Sequence, residues 1–170
     1  MRTRVTTYHL ELTDPKEFRP SEKRRSELEV RQAEIPCPLL NRFFYTAVGG
    51  DWSWIDKLKW TDDQWRNYAD RRELETWYAT VRGTPAGYFE LEAQPECNVE
   101  IAYFGLLPQF VGQGLGGQLL TAAVVRAWQM TAKRIWVHTC TLDHPSAMAN
   151  YQARGFRVFK EVVSEVDLPQ

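Results

Sequence analysis

Pro108-Gln109-Phe110-Val111-Gly112-Gln113-Gly114-Leu115-Gly116-Gly117-Gln118-Leu119-Leu120 places four glycines within six residues, between a strand-like apolar run and a helix-like one. A glycine inside regular structure costs about 0.5–1 kcal/mol relative to alanine, so packing alone gives little reason to keep four together. Something must approach the backbone closely here. The helix that follows opens with unpaired N–H groups and the positive end of its dipole, which suits an anion such as a pyrophosphate.

Three phosphate-binding loops compete for this stretch. A P-loop is excluded, because Gln118 and Leu119 stand where the lysine and the hydroxyl should follow Gly112 and Gly117. A dinucleotide fingerprint is satisfied by Gly112, Gly114 and Gly117, but it should open a parallel strand-helix-strand unit with an acidic residue about 20 positions later. The first acidic residue downstream, Asp143, is 26 positions past Gly117 and follows the next strand, and the loop lies deep in the C-terminal half. A dinucleotide-binding domain is therefore the weaker reading. The third candidate is the loop that holds acetyl-CoA.

The surroundings set the class. With 170 residues, 44% apolar and 25% charged, the chain reads as a single globular domain over residues 1–170, large enough for a full core. No apolar stretch is long enough to span a bilayer, and Met1 to His9 lacks the apolar run of a secretory signal, so a cytoplasmic protein without membrane contact is expected. The net charge of -1 offers no electrostatic footprint for nucleic acid. Arg24-Arg25 and Arg71-Arg72 lie among glutamates and read as solvated faces. Cys37, Cys97 and Cys140 show no paired spacing, which signals neither disulfides nor zinc and leaves them as small buried hydrophobes.

Along the chain, Arg4 to Leu12 alternates as a strand and Asp14-Pro15 ends it, while Lys16 to Ile35 is ambiguous. Pro36 and Pro38 suit the first turn of a helix through Ala47 that stops at Gly49-Gly50, and Thr61-Asp62-Asp63-Gln64 spells a capping box for another. From Glu73 the period becomes two. Strands at 74–81, 86–93 and 99–107 form an antiparallel meander. After the glycine loop, Leu119, Leu120, Ala123, Val124, Ala127 and Trp128 recur at helical spacing. Arg134 to Thr141 is a strand, a helix runs from His144-Pro145 to Gly155, and Phe156 to Val166 supplies one or two closing strands. The fold class is α+β, a central mixed and mostly antiparallel sheet with helices on both faces.

This order, and the residues in it, resemble the GNAT superfamily of acyl-CoA N-acetyltransferases over roughly Thr76 to Phe159. Its loop signature, Gln/Arg-x-x-Gly-x-Gly/Ala, fits best as Val111-Gly112-Gln113-Gly114-Leu115-Gly116, with Val111 where the family often has Gln or Arg. Its second mark, an aromatic residue four before Gly-Phe, is Tyr151 ahead of Gly155-Phe156, with Ala147 one turn earlier. His144 stands where many members carry a cofactor-contacting asparagine, and either replaces it or only caps the helix. The resemblance implies acetyl-CoA as co-substrate, held by Phe104, Gly105, Leu106, Gly112, Gln113, Gly114, Leu115, Gly116, Gly117 and His144. It also implies that the strand carrying Phe104 splays from its neighbour, so that the Phe104 N–H polarises the acetyl carbonyl.

Acetylating an amine requires a base, because alkyl ammonium groups have a reference pKa of about 10.4. Glu100 coincides with the glutamate base of some superfamily members, though an exposed strand carboxylate reads equally well; Glu90 and Glu92 are weaker candidates. Tyr151, with a reference pKa of about 10, can hand a proton to a thiolate whose conjugate acid lies near 8.5. Trp52, Trp54, Trp60 and Trp65 read as an acceptor pocket, as core or as a homodimer surface. His9 and His138 stand alone, read as structural, and support no metal site. The expected function is N-acetyl transfer from acetyl-CoA to a primary amine of a small molecule or peptide, by direct attack in a ternary complex. The alternative is a non-catalytic acyl-CoA-binding module.

Overall fold

A computed structural model describes residues 2–23 and 27–168, so the Arg24-Arg25 pair lies outside the described residues. The alternating segments become β1 (Arg2–Leu12), β2 (Leu28–Gln32), β3 (Leu74–Val81), β4 (Thr84–Gln94), β5 (Asn98–Leu106), β6 (Arg134–Cys140) and β7 (Arg157–Asp167). The helices are α1 (Pro38–Gly49), α2 (Asp62–Ala69), α3 (Leu115–Gln129) and α4 (Ala147–Ala153). Local chemistry sets several of their ends. Thr61 Oγ1 accepts from the Gln64 N–H at 3.3 Å while Gln64 Oε1 accepts from the Thr61 N–H at 2.8 Å, closing the expected capping box of α2. α4 starts three residues later than His144, because the imidazole Nδ1 accepts from the Ser146 N–H at 3.0 Å and holds a turn there.

One seven-stranded sheet runs in the order β2-β3-β4-β5-β6-β1-β7. All neighbours are antiparallel except β5 and β6. β2 falls in the stretch that was ambiguous in sequence: five residues whose sheet partner, β3, lies far along the chain. The first strand does not sit at an edge but between β6 and β7, paired to both.

Each face has its own core. On one, Phe89, Leu91, Val99 and Ile101 meet Leu119, Leu120, Ala123, Val124 and Ala127 of α3, and Tyr151 of α4 joins them. On the other, Phe44 and Val48 of α1 pack on Tyr88, whose ring stacks on Phe44 at 4.9 Å. Each fully buried large side chain of this kind contributes about 1.5–3 kcal/mol. The cysteines are not buried as expected. Cys37 and Cys97 are exposed and Cys140 is half-buried; Cys37 precedes the first turn of α1, and Cys97 occupies a left-handed turn at φ +59° between β4 and β5.

Two irregularities in β5 prepare the functional region. Leu91 pairs with Ile101 but Glu90 pairs with Tyr103, so Ala102 is an extra residue that brings Glu100 and Tyr103 onto the same face. In addition, β5 and β6 pair only over Asn98–Glu100 against Arg134–Trp136. Beyond that point each strand follows its outer neighbour, β5 following β4 up to Leu106 and β6 following β1 up to Cys140. The two strands part, leaving their facing edges without a ladder.

Candidate active site

A cavity of about 690 Å³ fills this gap, lined by β5 from Ile101 to Leu106 and by β6 from Val137 to Cys140. The Leu107 N–H donates to Ala86 O at 2.8 Å, toward β4. Strand alternation then aims the main-chain groups of Phe104 and Leu106 the other way, into the gap. Backbone donors facing a cavity need a partner, and an extended ligand with amide groups supplies one.

At one end of the gap lies the glycine loop. Gly112 and Gly114 take left-handed φ values of +81° and +76°, and Gly114 is the residue from which α3 springs at Leu115. Gly112, Gly114, Gly116 and Gly117 line the cavity with Val111. Leu115 and Gln113 are absent from the lining, and the Leu115 side chain is buried in the core beneath α3. Gln113 turns its amide back to Gln109 O at 2.9 Å. The N-terminal end of α3 thus meets the cavity through glycines, a setting suited to an anion, with the Arg154 guanidinium and the Ser21 hydroxyl beside Gly117. Asn150, not singled out in the sequence, also lines the cavity beside Gly116.

The cavity passes through the sheet. On the face of α3 and α4, the Tyr151 ring stands edge-on to Phe104 at 6.1 Å and to Phe156 at 6.0 Å, and burial raises its phenol above the ordinary tyrosine range. His144 lines the same end, its ring 4.8 Å from Trp52, so it both holds the turn before α4 and faces the cavity. On the face of α1 and α2 lie Tyr45, Trp54, Asp56, Tyr103 and His138.

His138 is not the isolated residue its sequence position suggests. The parallel register sets Glu100 beside Trp136, and two residues further along the same face of β6 comes His138, whose Nδ1 lies 3.4 Å from Glu100 Oε1. The Glu100 interaction raises the imidazole above its ordinary value. Glu100 is itself absent from the cavity lining: its other oxygen accepts from Gln94 Nε2 at 2.8 Å, and it reaches the cavity through the imidazole. His9 pairs with His138 across β1 and β6 but lies outside the lining, between Trp136 and Phe159.

Glu90 has a different environment. It is 1% exposed beneath α1, accepts from Asn41 Nδ2 at 2.5 Å and from Tyr68 OH at 2.9 Å, and burial pushes its carboxyl up to about 7. Glu92 pairs with Arg71 at 2.9 Å. Neither lines the cavity. The tryptophans divide by role: Trp52 and Trp54 line the cavity, Trp65 is core, and Trp60 packs against Trp65 and Tyr68. Among the described residues no cluster of His, Cys, Asp and Glu could hold a metal ion, and no helix is long and apolar enough to cross a membrane.

The glycine-capped helix beside a parted pair of parallel strands has a counterpart in a known family. The family model described as Acetyltransferase (GNAT) family matches residues 34–156. The chain belongs to the GNAT acetyltransferases. Solved GNAT structures share its fold: a GCN5-related N-acetyltransferase from Kribbella flavida is 17% identical with a TM-score of 0.69, covering 99% of this chain and 61% of that one. Another from Sphaerobacter thermophilus is 16% identical with a TM-score of 0.71, over 96% of this chain and 54% of that one. A GNAT acetyltransferase from Elizabethkingia anophelis with acetyl-CoA bound is 19% identical with a TM-score of 0.58, over 80% of each chain. This chain thus spans little more than half the length of the first two. No curated protein matches it. As a GNAT protein it keeps the glycine cradle and the parted strands. The dinucleotide reading fails on topology, since among the described residues β5 and β6 are the one parallel pair, over three residues, in an otherwise antiparallel sheet; Asp143 lines the cavity and accepts from Thr139 Oγ1 at 2.6 Å, the Cys140 N–H at 2.9 Å and Trp54 Nε1 at 3.4 Å.

Proposed function

We propose that this protein transfers an acetyl group from acetyl-CoA to the primary amine of a small or peptide acceptor, with both substrates bound together. The observation that carries this reading is the gap between β5 and β6, open to both faces of the sheet. A donor lying along the cradle reaches it from the α3 side, and an acceptor reaches it past Trp54 and Asp56 from the α1 side.

The residues present suit acyl-CoA. Gly112 and Gly114 turn the chain so that the α3 amides face an anion, glycines line the cradle, and the inward-facing amides of Phe104 and Leu106 match an extended pantetheine arm. Acetyl-CoA supplies a thioester carbonyl as electrophile. The Phe104 N–H would polarise that carbonyl, and one oriented donor contributes about 2.7–4 kcal/mol in other acyl-transfer sites. His138 would take a proton from the acceptor ammonium, positioned by Glu100, and Tyr151, kept protonated by burial, would return one to the thiolate. Burial and Asp143 hold the Cys140 thiol up, which supports direct attack over an acyl-cysteine. Asp56 at the mouth favours a cationic acceptor.

A screen of amines with acetyl-CoA, reading free thiol, tests the proposal. At least one amine is expected to release thiol, and Glu100→Gln and Tyr151→Phe are expected to lower turnover at least tenfold with coenzyme A affinity unchanged. Calorimetric binding of coenzyme A without thiol release by any amine would assign the protein to acyl-CoA binding instead.

A further inference from the structure

Behind Tyr103, on the acceptor side, the protein has built an aromatic cage and filled it with its own lysine. Lys57 Nζ lies 4.2 Å from the ring centre of Trp60, 5.0 Å from that of Tyr68 and 5.2 Å from that of Tyr103. Rings in this arrangement attract ammonium groups through their negative faces, more strongly out of water. Lys57 is half-buried there. The nearby charges are Glu90, Asp56, Arg71 and Glu92.

Each ring is held by something other than the lysine. Tyr68 donates to Glu90 at 2.9 Å, Trp60 packs on Trp65 at 5.1 Å, and Tyr103 packs on Tyr45 at 5.5 Å and Trp54 at 5.1 Å. The cage therefore persists without its occupant, whereas the occupant is a flexible stem on a turn between helices, able to release its head into water. Tyr103 is a wall of both cage and cavity, and Asp56, next to Lys57 in the chain, stands on the cavity's rim.

We propose that the cage of Trp60, Tyr68 and Tyr103 over Glu90 is an ammonium-binding site, that Lys57 is its internal occupant, and that an acceptor bearing a cationic nitrogen enters by displacing Lys57. Burial lowers the Lys57 ammonium below the ordinary lysine range and Glu90 only partly offsets this, so the assignment rests on place: Lys57, Trp60 and Tyr68 stand outside the cavity lining, behind Tyr103, and the caged nitrogen is not the one that reacts. The acceptor class is thus a compound with two amines, one caged and one presented to His138. That last step rests on the acetyl-transfer reading; the cage does not.

Calorimetric titration of the 170-residue chain with n-butylammonium chloride, without acetyl-CoA, is expected to show at least tenfold tighter binding to Lys57→Met than to the unsubstituted protein. The gain is expected to vanish in Lys57→Met/Trp60→Leu. Equal affinities, or a gain that survives the loss of Trp60, would overturn the proposal. Should Lys57→Met fail to fold, the unsubstituted protein labelled with 13C-lysine carries the test. The Lys57 ε-CH2 signal, shifted upfield by the rings, is expected to move toward the free-lysine position as n-butylammonium is added, and a signal that stays in place at molar amine rejects the cage. Binding without acetyl transfer would sink the function and keep the cage. Transfer with an affinity indifferent to Lys57 would do the reverse.

Discussion

At the scale of single residues, the pairing of Glu100 with His138 makes a definite pH prediction. In the proposed transfer His138 must be neutral to accept a proton, and its raised pKa then places the acid limb of kcat/KM above the ordinary histidine value of 6.5. Glu100→Gln removes the main cause of that rise, so the limb is expected to move to lower pH while the maximal rate falls; a limb that stays in place would show that His138 is not the titrating group. Glu90 makes a prediction about stability. Its carboxyl titrates near 7 when folded against 4.5 unfolded, so between those values the native state holds more protons than the unfolded one. Stability from this group is therefore full below pH 4.5 and is lost as pH rises through about 7. Glu90→Gln stays neutral throughout, and its melting temperature relative to the unsubstituted protein is expected to climb across that window, as a calorimetric pH series would record.

At the scale of elements, the glycine cradle was legible and the Glu100–His138 contact was not. The loop and α3 are encoded locally: four clustered glycines, then apolar residues at helical spacing, and the structure starts the helix at Leu115, right after Gly114. The Glu100–His138 contact depends instead on the parallel register of β5 and β6, which no local pattern expresses. β2 escaped for a related reason, since five residues become a strand only once β3 is there to pair with them. Local encoding makes the cradle easy to test. At Gly114 φ is +76°, and the nearest atom to an added Cβ is the flexible Lys23 Cδ at 3.7 Å. Gly114→Ala therefore meets little steric conflict but takes on left-handed strain of about 1–2 kcal/mol. Either the strain lowers stability by that amount or the loop relaxes and withdraws its amides; coenzyme A affinity is expected to fall at least fivefold, read by calorimetry beside the melting temperature.

At the scale of the whole molecule, the cavity wall depends on a strand from the far end of the chain. β6 loses β5 as a partner after Trp136, so from Val137 to Cys140 its ladder runs to β1 alone, and β7 joins the sheet through β1. The sequence pattern identified this first strand but could not reveal its place, because sheet order is set by contacts between Thr7 and Cys140 or Thr3 and Val166, over a hundred residues apart. The consequence is a coupling between the N-terminal strand and the site. Leu10 is fully buried in the α3 core and absent from the cavity lining, but it pairs directly with Val137, which lines the cavity. Leu10→Ala is expected to cost about 2–5 kcal/mol, as large-to-small changes in cores do. If β1 is what holds the β6 wall against the gap, the same substitution lowers coenzyme A affinity at temperatures where the protein is still folded, and amide exchange quickens along Val137 to Cys140 before it quickens in α3. Loss of stability with unchanged affinity and uniform exchange would mean that the wall is held by packing beneath it rather than by the strand beside it.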